Sequence, residues 1–315
     1  MRRVGAIDCG TNSIRLLIAD VAADASALTP VTRQMQIVRL GEGIDVTGRI
    51  TDEAMQRTLA AAEGYAALCR REGCEQVRFV ATSASRDAAN AEDFVAGVRG
   101  AFADFDVHPE VISGAEEAQL SFAGATGRLR ADDAEPPFLV VDIGGGSTEF
   151  VRGTTEVEAS ASVDIGCVRM HERHLHDDPP TEDQVWAALS DIVRAIEEVA
   201  QTVDLSDIGT VVGLAGSVTT VTAHALALGS YDPTKIHGAE LAVEEVIAAC
   251  TDLLLMPQSR LRELPFMHPG RIDVIGAGAL IWRTVVQRVA HDSGLTQVRA
   301  SETDILDGIA LSLAD

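Results

Sequence analysis

Short apolar runs rich in Val, Ile and Leu alternate along the chain with stretches whose apolar positions recur every three to four residues. The first pattern marks buried strands and the second marks amphipathic helices, so an α/β fold is predicted. "VGAIDCGTNSIRLLIADV" reads as strand, tight turn and returning strand. "QVRFVATSASRDAANAEDFVAGVRGAF" reads as strand, turn and helix, and "HPEVISGAEEAQLSFAGATGRL" repeats that unit. "TEDQVWAALSDIVRAIEEVAQTV" predicts a long helix, with Thr181 and Gln184 spaced as a capping box. "TVVGLAGSVTTVTAHALAL" and "RIDVIGAGALIWRTVVQRV" each predict strand, glycine turn and helix. Between the halves lies "RADDAEPP", a polar stretch ending in two prolines and the predicted interdomain linker.

The pattern contains an internal repeat. Laying "VGAIDCGTNSIRLL" on "FLVVDIGGGSTEFV" sets Asp8 on Asp142, Gly10 on Gly144, Ser13 on Ser147 and Arg15 on Glu149. Each half thus opens with a strand, an Asp-x-Gly turn and a returning strand. A pseudo-twofold relation between halves predicts two turns facing one cleft, one offering an arginine to phosphate and the other a glutamate to a metal. Chance similarity of two hairpins is the alternative.

Composition narrows the function classes. The chain has 315 residues, 46% hydrophobic and 23% charged, and a net charge of −23. That balance argues against general nucleic-acid binding, which needs a basic footprint. It leaves room for a small anion that arrives with a cation, because screening makes the local site decisive. No apolar run reaches the length of a membrane span, and Asp8 interrupts any signal-peptide core. A cytoplasmic protein without a membrane partner is expected. Cys9, Cys69, Cys74, Cys167 and Cys250 are scattered, which predicts free thiols and no zinc site.

Several stretches carry candidate chemistry. Gly144, Gly145 and Gly146 let the backbone approach an oxyanion, and the flanking Asp142 and Glu149 suit Mg²⁺. A glycine-rich hairpin with a surface Glu is the plainer reading. In "ISGAEEA", Ser113 and Glu116 are spaced as a capping box, which leaves Glu117 without a structural task. Glu117 is then either a general base or a solvated first-turn acid favoured by the helix dipole, and the residues alone favour the second. "ATSASR" (81–86) and "GLAGS" (213–217) are small-residue turns before helices, suited to phosphate, with Arg86 as a bidentate donor. Close strand–helix packing selects the same small residues. His171, His174 and His176 in "HERHLHDD" form a weaker metal candidate beside a solvated helix end. Ser147 and Ser217 lack the G-x-S-x-G setting of a serine hydrolase.

Taken together, "AIDCGTNSIRLLI", "VATSASRDAANAEDF", "VISGAEEA", "VVDIGGGSTEF", "GLAGSVTT" and "VIGAGALI" resemble the exopolyphosphatase and guanosine pentaphosphate phosphohydrolase family over nearly the whole chain. The resemblance implies the actin-like ATPase and sugar-kinase fold: two ribonuclease-H-like domains around a central cleft, spanning 1–128 and 136–302, with a helix at about 303–315 returning to the first. Carried over by position, Glu117 is the catalytic base, and Asp8, Asp142 and Glu149 are the metal-side carboxylates. Gly10, Thr11, Asn12, Ser13, Arg15, Arg86, Gly144, Gly145, Gly146, Ser147, Gly216 and Ser217 fall on the phosphate-binding positions. The implied cofactor is Mg²⁺ or Mn²⁺, and the implied substrate is a short inorganic polyphosphate. The alternatives are 5′-phosphate removal from guanosine pentaphosphate, a regulator that binds guanosine penta- or tetraphosphate with little turnover, and a sugar or acid kinase. A homodimer is expected by analogy alone. The family's closing motif often carries an arginine where "SETDILDG" has Leu306, and long members continue into an HD-type domain that this chain is expected to lack.

Overall fold

The computed structural model describes residues 1–105, 107–129 and 134–314, so residues 130–133 of the proline-ended linker lie outside the described residues. The protein is mixed α/β, with two sheets and two compact units: Met1–Gly124 with Ile305–Asp315, and Ala125–Asp304.

The first unit holds β1 (Arg2–Cys9), β2 (Ser13–Val21), β3 (Leu28–Ile37), α1 (Ile44–Thr47), α2 (Asp52–Glu72), β4 (Gln76–Ala81), α3 (Ser83–Asp87), α4 (Ala91–Ala101), β5 (Glu110–Val111) and the start of α5 (Gly114–Leu129). Its sheet runs β3-β2-β1-β4-β5, with β1, β2 and β3 antiparallel and β4 and β5 parallel to β1. Alternation along β1 and β2 sorts side chains onto two faces. Ile7, Cys9, Ile14 and Leu16 join a core built with α2 and α4, where Phe79 packs on Phe94 and Phe102 at centroid distances of 6.3 and 5.8 Å. Helix α2 is well specified. The Thr51 hydroxyl caps it by accepting from Ala54 N, acids occupy its first turn, arginines its last, and Gly73 at φ 72° ends it.

The second unit holds β6 (Phe138–Ile143), β7 (Thr148–Gly153), β8 (Val157–Val163), α6 (Cys167–His174), α7 (Glu182–Val199), β9 (Thr210–Leu214), α8 (Ala215–Ala225), α9 (Pro233–Ile236), β10 (Glu240–Ala242), α10 (Val243–Leu255), α11 (Gln258–Leu261), α12 (Ile275–Ser293) and β11 (Gln297–Ala300). Its sheet runs β10-β11-β9-β6-β7-β8. Apart from the added edge β10, this is the strand order and direction of the first sheet. The repeat extends to the turns. Gly10 N–H donates to Ser13 O at 2.9 Å, and Gly144 N–H to Ser147 O at 3.0 Å.

The last helix, α13 (Ile305–Leu311), belongs to the first unit. Ile305, Leu306 and Ile309 fill the second face of its sheet with Val4, Ala6, Leu17 and Leu120. Leu306, where the family often has arginine, is 1% exposed and part of this core. The neighbouring Asp307 instead receives Nη2 of Arg33, at 2.7 and 2.8 Å from its two oxygens. Gly308 lets the helix approach α5, since a Cβ there would lie 2.0 Å from Leu120 O.

Some elements differ from the sequence pattern. "RIDVI" forms no strand: a 3₁₀ turn at Pro269–Arg271 leads into α12 at Ile275. A short apolar run fits a buried helix entry as well as a strand. The "ATSASR" turn contains the one-turn helix α3. Both predicted capping boxes are half made. Thr181 and Ser113 accept from the N–H of Gln184 and Glu116. The return bonds go elsewhere: the Gln184 amide oxygen accepts from Asp177 N, and Glu116 accepts from Arg78. The five cysteines are free and buried. Among the described residues no helix is long and apolar enough to cross a membrane.

Overpacking against a backbone costs about 1–3 kcal/mol. Gly308→Ala is therefore expected to destabilise the protein by that amount, checked as a lower urea midpoint. A midpoint equal to wild type would show that α13 is not in tight register with α5.

Candidate functional site

In the first unit, strand alternation and helix placement bring the predicted residues to one end of one sheet face. Asp8 shares a face with Val4 and Ala6, and Arg15 is its direct cross-strand partner. The same face carries α5 through Leu120, one turn beyond Glu117. Helix α5 starts just past the carboxyl end of β5, the usual place for ligand groups in sheets of this kind. Arg15 donates to Asp8 Oδ2 from Nε at 2.9 Å and from Nη2 at 2.6 Å. Glu117 is 8% exposed, and its Oε2 accepts from Arg86 Nη1 at 2.7 Å. The same Nη1 donates to Ile112 O at 3.0 Å, which locks the guanidinium to the strand end. Burying a carboxylate requires such a partner. The plainer expectation for Glu117, a solvated first-turn acid, is overturned by its burial. Thr11 and Ser83 join the turns of β1 and β4 through a 2.9 Å hydroxyl contact.

In the second unit the equivalent register pairs Asp142 with Glu149 across β6 and β7. They are 6% and 1% exposed, so Glu149 is no surface residue. Directly opposed side chains lie about 5 Å apart at Cβ, and like charges so placed repel. Glu149 Oε1 accepts from Ser162 Oγ at 2.7 Å. Two buried carboxylates in register form a donor set that fits Mg²⁺ or Mn²⁺. Among the described residues no cluster of three or more His, Cys, Asp or Glu side chains could cage a metal. A cation at this pair would therefore complete its shell with water and phosphate oxygens. Asp8 differs from this pair in its neighbour, because Arg15 donates to its Oδ2.

The loop at Gly144–Gly146 is held by α6. Cys167 N donates to Gly144 O at 3.0 Å, Val168 and Arg169 N to Gly145 O at 2.9 and 3.1 Å, and Arg169 Nε to Gly146 O at 2.8 Å. Pinning the carbonyls leaves the N–H groups of Gly145 and Gly146 outside these bonds, as an anion-binding loop requires. Gly166 makes the approach feasible, since a Cβ there would lie 2.3 Å from Gly145 C and O.

The turn from β9 into α8 carries the other predicted loop. Ala215 takes φ 66°, a left-handed conformation that costs a non-glycine residue about 1–2 kcal/mol. Gly216 O then accepts from Thr220 Oγ1 at 2.6 Å and Arg271 Nη1 at 3.3 Å. Ser217 is buried beside Cys167, whose thiol is pushed up by burial while the Ser217 hydroxyl pulls the other way. Burial, and then the charge of Arg271, hold His268 below its usual value, which favours neutral imidazole.

Arg271, Arg169 and Gly166 escaped the sequence reading. Arg271 sits in the segment mistaken for a strand, and Gly166 and Arg169 act through contacts distant in sequence. In "HERHLHDD", His174 pairs with Asp191 at 2.8 Å, a structural contact to α7.

The model of the Ppx/GppA phosphatase family matches residues 17–313. Exopolyphosphatase 2 of Mycobacterium tuberculosis is 48% identical, covering 100% of this chain and 99% of the relative. A guanosine-5′-triphosphate,3′-diphosphate pyrophosphatase of Photobacterium profundum is 32% identical over 68% of this chain and 41% of its own length. The crystal structure of an exopolyphosphatase-like protein superposes with a TM-score of 0.94 at 42% identity, covering 99% of this chain and 98% of that one.

Displacing the Gly145–Gly146 peptide should cost about 1–3 kcal/mol of loop geometry. Gly166→Ala is expected to weaken binding of inorganic phosphate at least roughly tenfold with unchanged far-UV circular dichroism. Wild-type binding in this variant would remove the loop from the anion site.

Proposed function

We propose, for a chain that belongs to the Ppx/GppA phosphatase family and is a phosphoanhydride hydrolase, that it removes the terminal phosphate of short inorganic polyphosphate. The observation that carries the reading is the buried Glu117–Arg86 pair at the head of α5. Glu117 is the general base that orients and deprotonates the attacking water. Arg86 keeps that carboxylate in one orientation through Nη1, while its Nε and Nη2 can turn to a phosphate oxygen. Asp8 orients Arg15 for the same anion rather than serving as a third metal ligand. The turns at Gly10–Ser13, Gly144–Ser147 and Gly216–Ser217 hold phosphate oxygens through N–H and hydroxyl groups. Asp142 and Glu149 would hold Mg²⁺ or Mn²⁺, which would offset charge on the phosphoryl oxygens.

Removal of the 5′-phosphate from guanosine pentaphosphate is the second reading, supported by the Photobacterium profundum relative. It uses the same groups with a different rim. A regulator with little turnover would bind either anion tightly without releasing phosphate, and a kinase would consume ATP only with an acceptor.

A positioned general base contributes about 10²–10⁴ in rate. Glu117→Gln is expected to lose that factor in kcat for phosphate release, with KM little changed. Undiminished release would take Glu117 out of the mechanism. For the metal reading, Asp142→Asn and Glu149→Gln should each raise the Mg²⁺ concentration giving half-maximal rate at least roughly tenfold; an unchanged requirement would place the metal elsewhere. Comparing kcat/KM for tripolyphosphate and guanosine pentaphosphate separates the two substrates.

A further inference from the structure

The segment Ser301–Asp304, which follows β11, is attached to both sides of the β9–α8 turn. On the strand side, Ser301 N donates to Gly213 O at 3.0 Å. On the helix side the link is indirect. Tyr231 OH lies 2.5 Å from Glu302 Oε1 and 2.9 Å from Thr219 Oγ1. A phenol has one proton, and so short a bond is that of a hydroxyl donating to a carboxylate. The Thr219 hydroxyl is then the donor of the 2.9 Å contact to the Tyr231 oxygen, and its 3.4 Å contact to Gly216 O is the longer competitor for the same proton. Burial and the Glu302 charge both push the Tyr231 hydroxyl well up, so it keeps its proton. Glu302 is itself oriented, because its N–H donates to His237 Nδ1 at 3.2 Å.

We infer that Tyr231 and Glu302 are positioning residues for phosphate binding: through Thr219 they brace the first turns of α8 and so hold the Gly216–Ser217 loop in register. Ala215, in its left-handed conformation, shows why a brace is needed: the turn is held away from its relaxed geometry. The two residues reach the loop through Thr219, while the neighbouring Ser301 N–H holds Gly213 O, and they act on the loop's position rather than on the reacting atoms. This inference rests on reading Gly216–Ser217 as a phosphate loop.

The test measures kcat and KM for phosphate release from tripolyphosphate or guanosine pentaphosphate, whichever has the higher kcat/KM, in Tyr231→Phe, Glu302→Ala, Glu302→Gln and Ser217→Ala. Losing one such hydrogen bond should raise KM roughly threefold to tenfold in Tyr231→Phe and Glu302→Ala, with kcat within about twofold. Glu302→Gln, whose amide oxygen still accepts from Tyr231, should restore KM to near wild type. A raised KM in Ser217→Ala with wild-type KM in Tyr231→Phe would overturn the brace and leave the phosphate loop standing. Wild-type KM in both would overturn the brace and the loop reading together. Equal loss in Glu302→Ala and Glu302→Gln, paralleled by lower melting temperatures, would also overturn the brace and reduce these residues to general stability.

Discussion

The central constraint is the burial of carboxylates in the site-bearing hairpins and at the head of α5. Asp8, Glu117, Asp142 and Glu149 are all at most 8% exposed. A carboxylate removed from water must be matched by charge or hydrogen bonds, or its cost unfolds the site. The two units meet this demand differently in the same register. Opposite Asp8 stands Arg15, and opposite Asp142 stands Glu149. One hairpin is thus nearly neutral within itself. The other concentrates negative charge of the kind a divalent cation accompanying phosphate would answer. The same hairpin register thus carries opposite electrostatics in the two units through one differing position, Arg15 in one and Glu149 in the other.

The backbone supports this through close approach. Helix α6 sits on the Gly144–Gly146 loop because residue 166 has no side chain, and its N-terminal amides hold the loop's carbonyls. Helix α13 sits on α5 because residue 308 has none. In each case a glycine remote in sequence fixes the group that matters. Gly308 touches the turn after Glu117, and Gly166 touches the loop between Asp142 and Glu149. Packing and site geometry are therefore coupled, and core changes distant from the candidate site should be felt there.

Much of this was legible in the residue pattern. The offset between the halves anticipated two hairpins in matching register, and the structure adds what that register implies, Arg15 directly across from Asp8 and Glu149 directly across from Asp142. The separation of Glu116 from Glu117 held for a different reason than the pattern suggested. Glu116 is taken up by Arg78, and Glu117 by Arg86, a contact 31 residues away. What stayed hidden was set by tertiary contacts. Arg271 lies in a stretch whose apolar spacing suits strand and helix entry alike. The Tyr231–Thr219–Glu302 relay joins residues up to 83 apart, in three segments whose sequences give no sign of the contact. Leu306 could be flagged as a departure, yet only the packing of α13 shows that a leucine belongs there.

The same physics explains how so acidic a chain can handle an anion. At a net charge of −23 its long-range field repels polyphosphate, but salt screens that field beyond about 8 Å. What remains is the local arrangement, and here the choice of cation matters. Lys235 is the only lysine among 25 basic residues. The arginines near the loops are each anchored by part of the guanidinium: Arg15 on Asp8, Arg86 on Glu117 and Ile112 O, Arg169 on Gly146 O, Arg271 on Gly216 O. A lysine would present all three of its donors from one nitrogen, with no separate edge to fix. A guanidinium has a fork of donors, so one edge can be fixed by the protein while another meets phosphate. Prior anchoring also removes much of the side-chain entropy that binding would otherwise cost. Oriented guanidinium donors are thus preset at the loops, and the acidic remainder of the surface does not decide what the loops can hold.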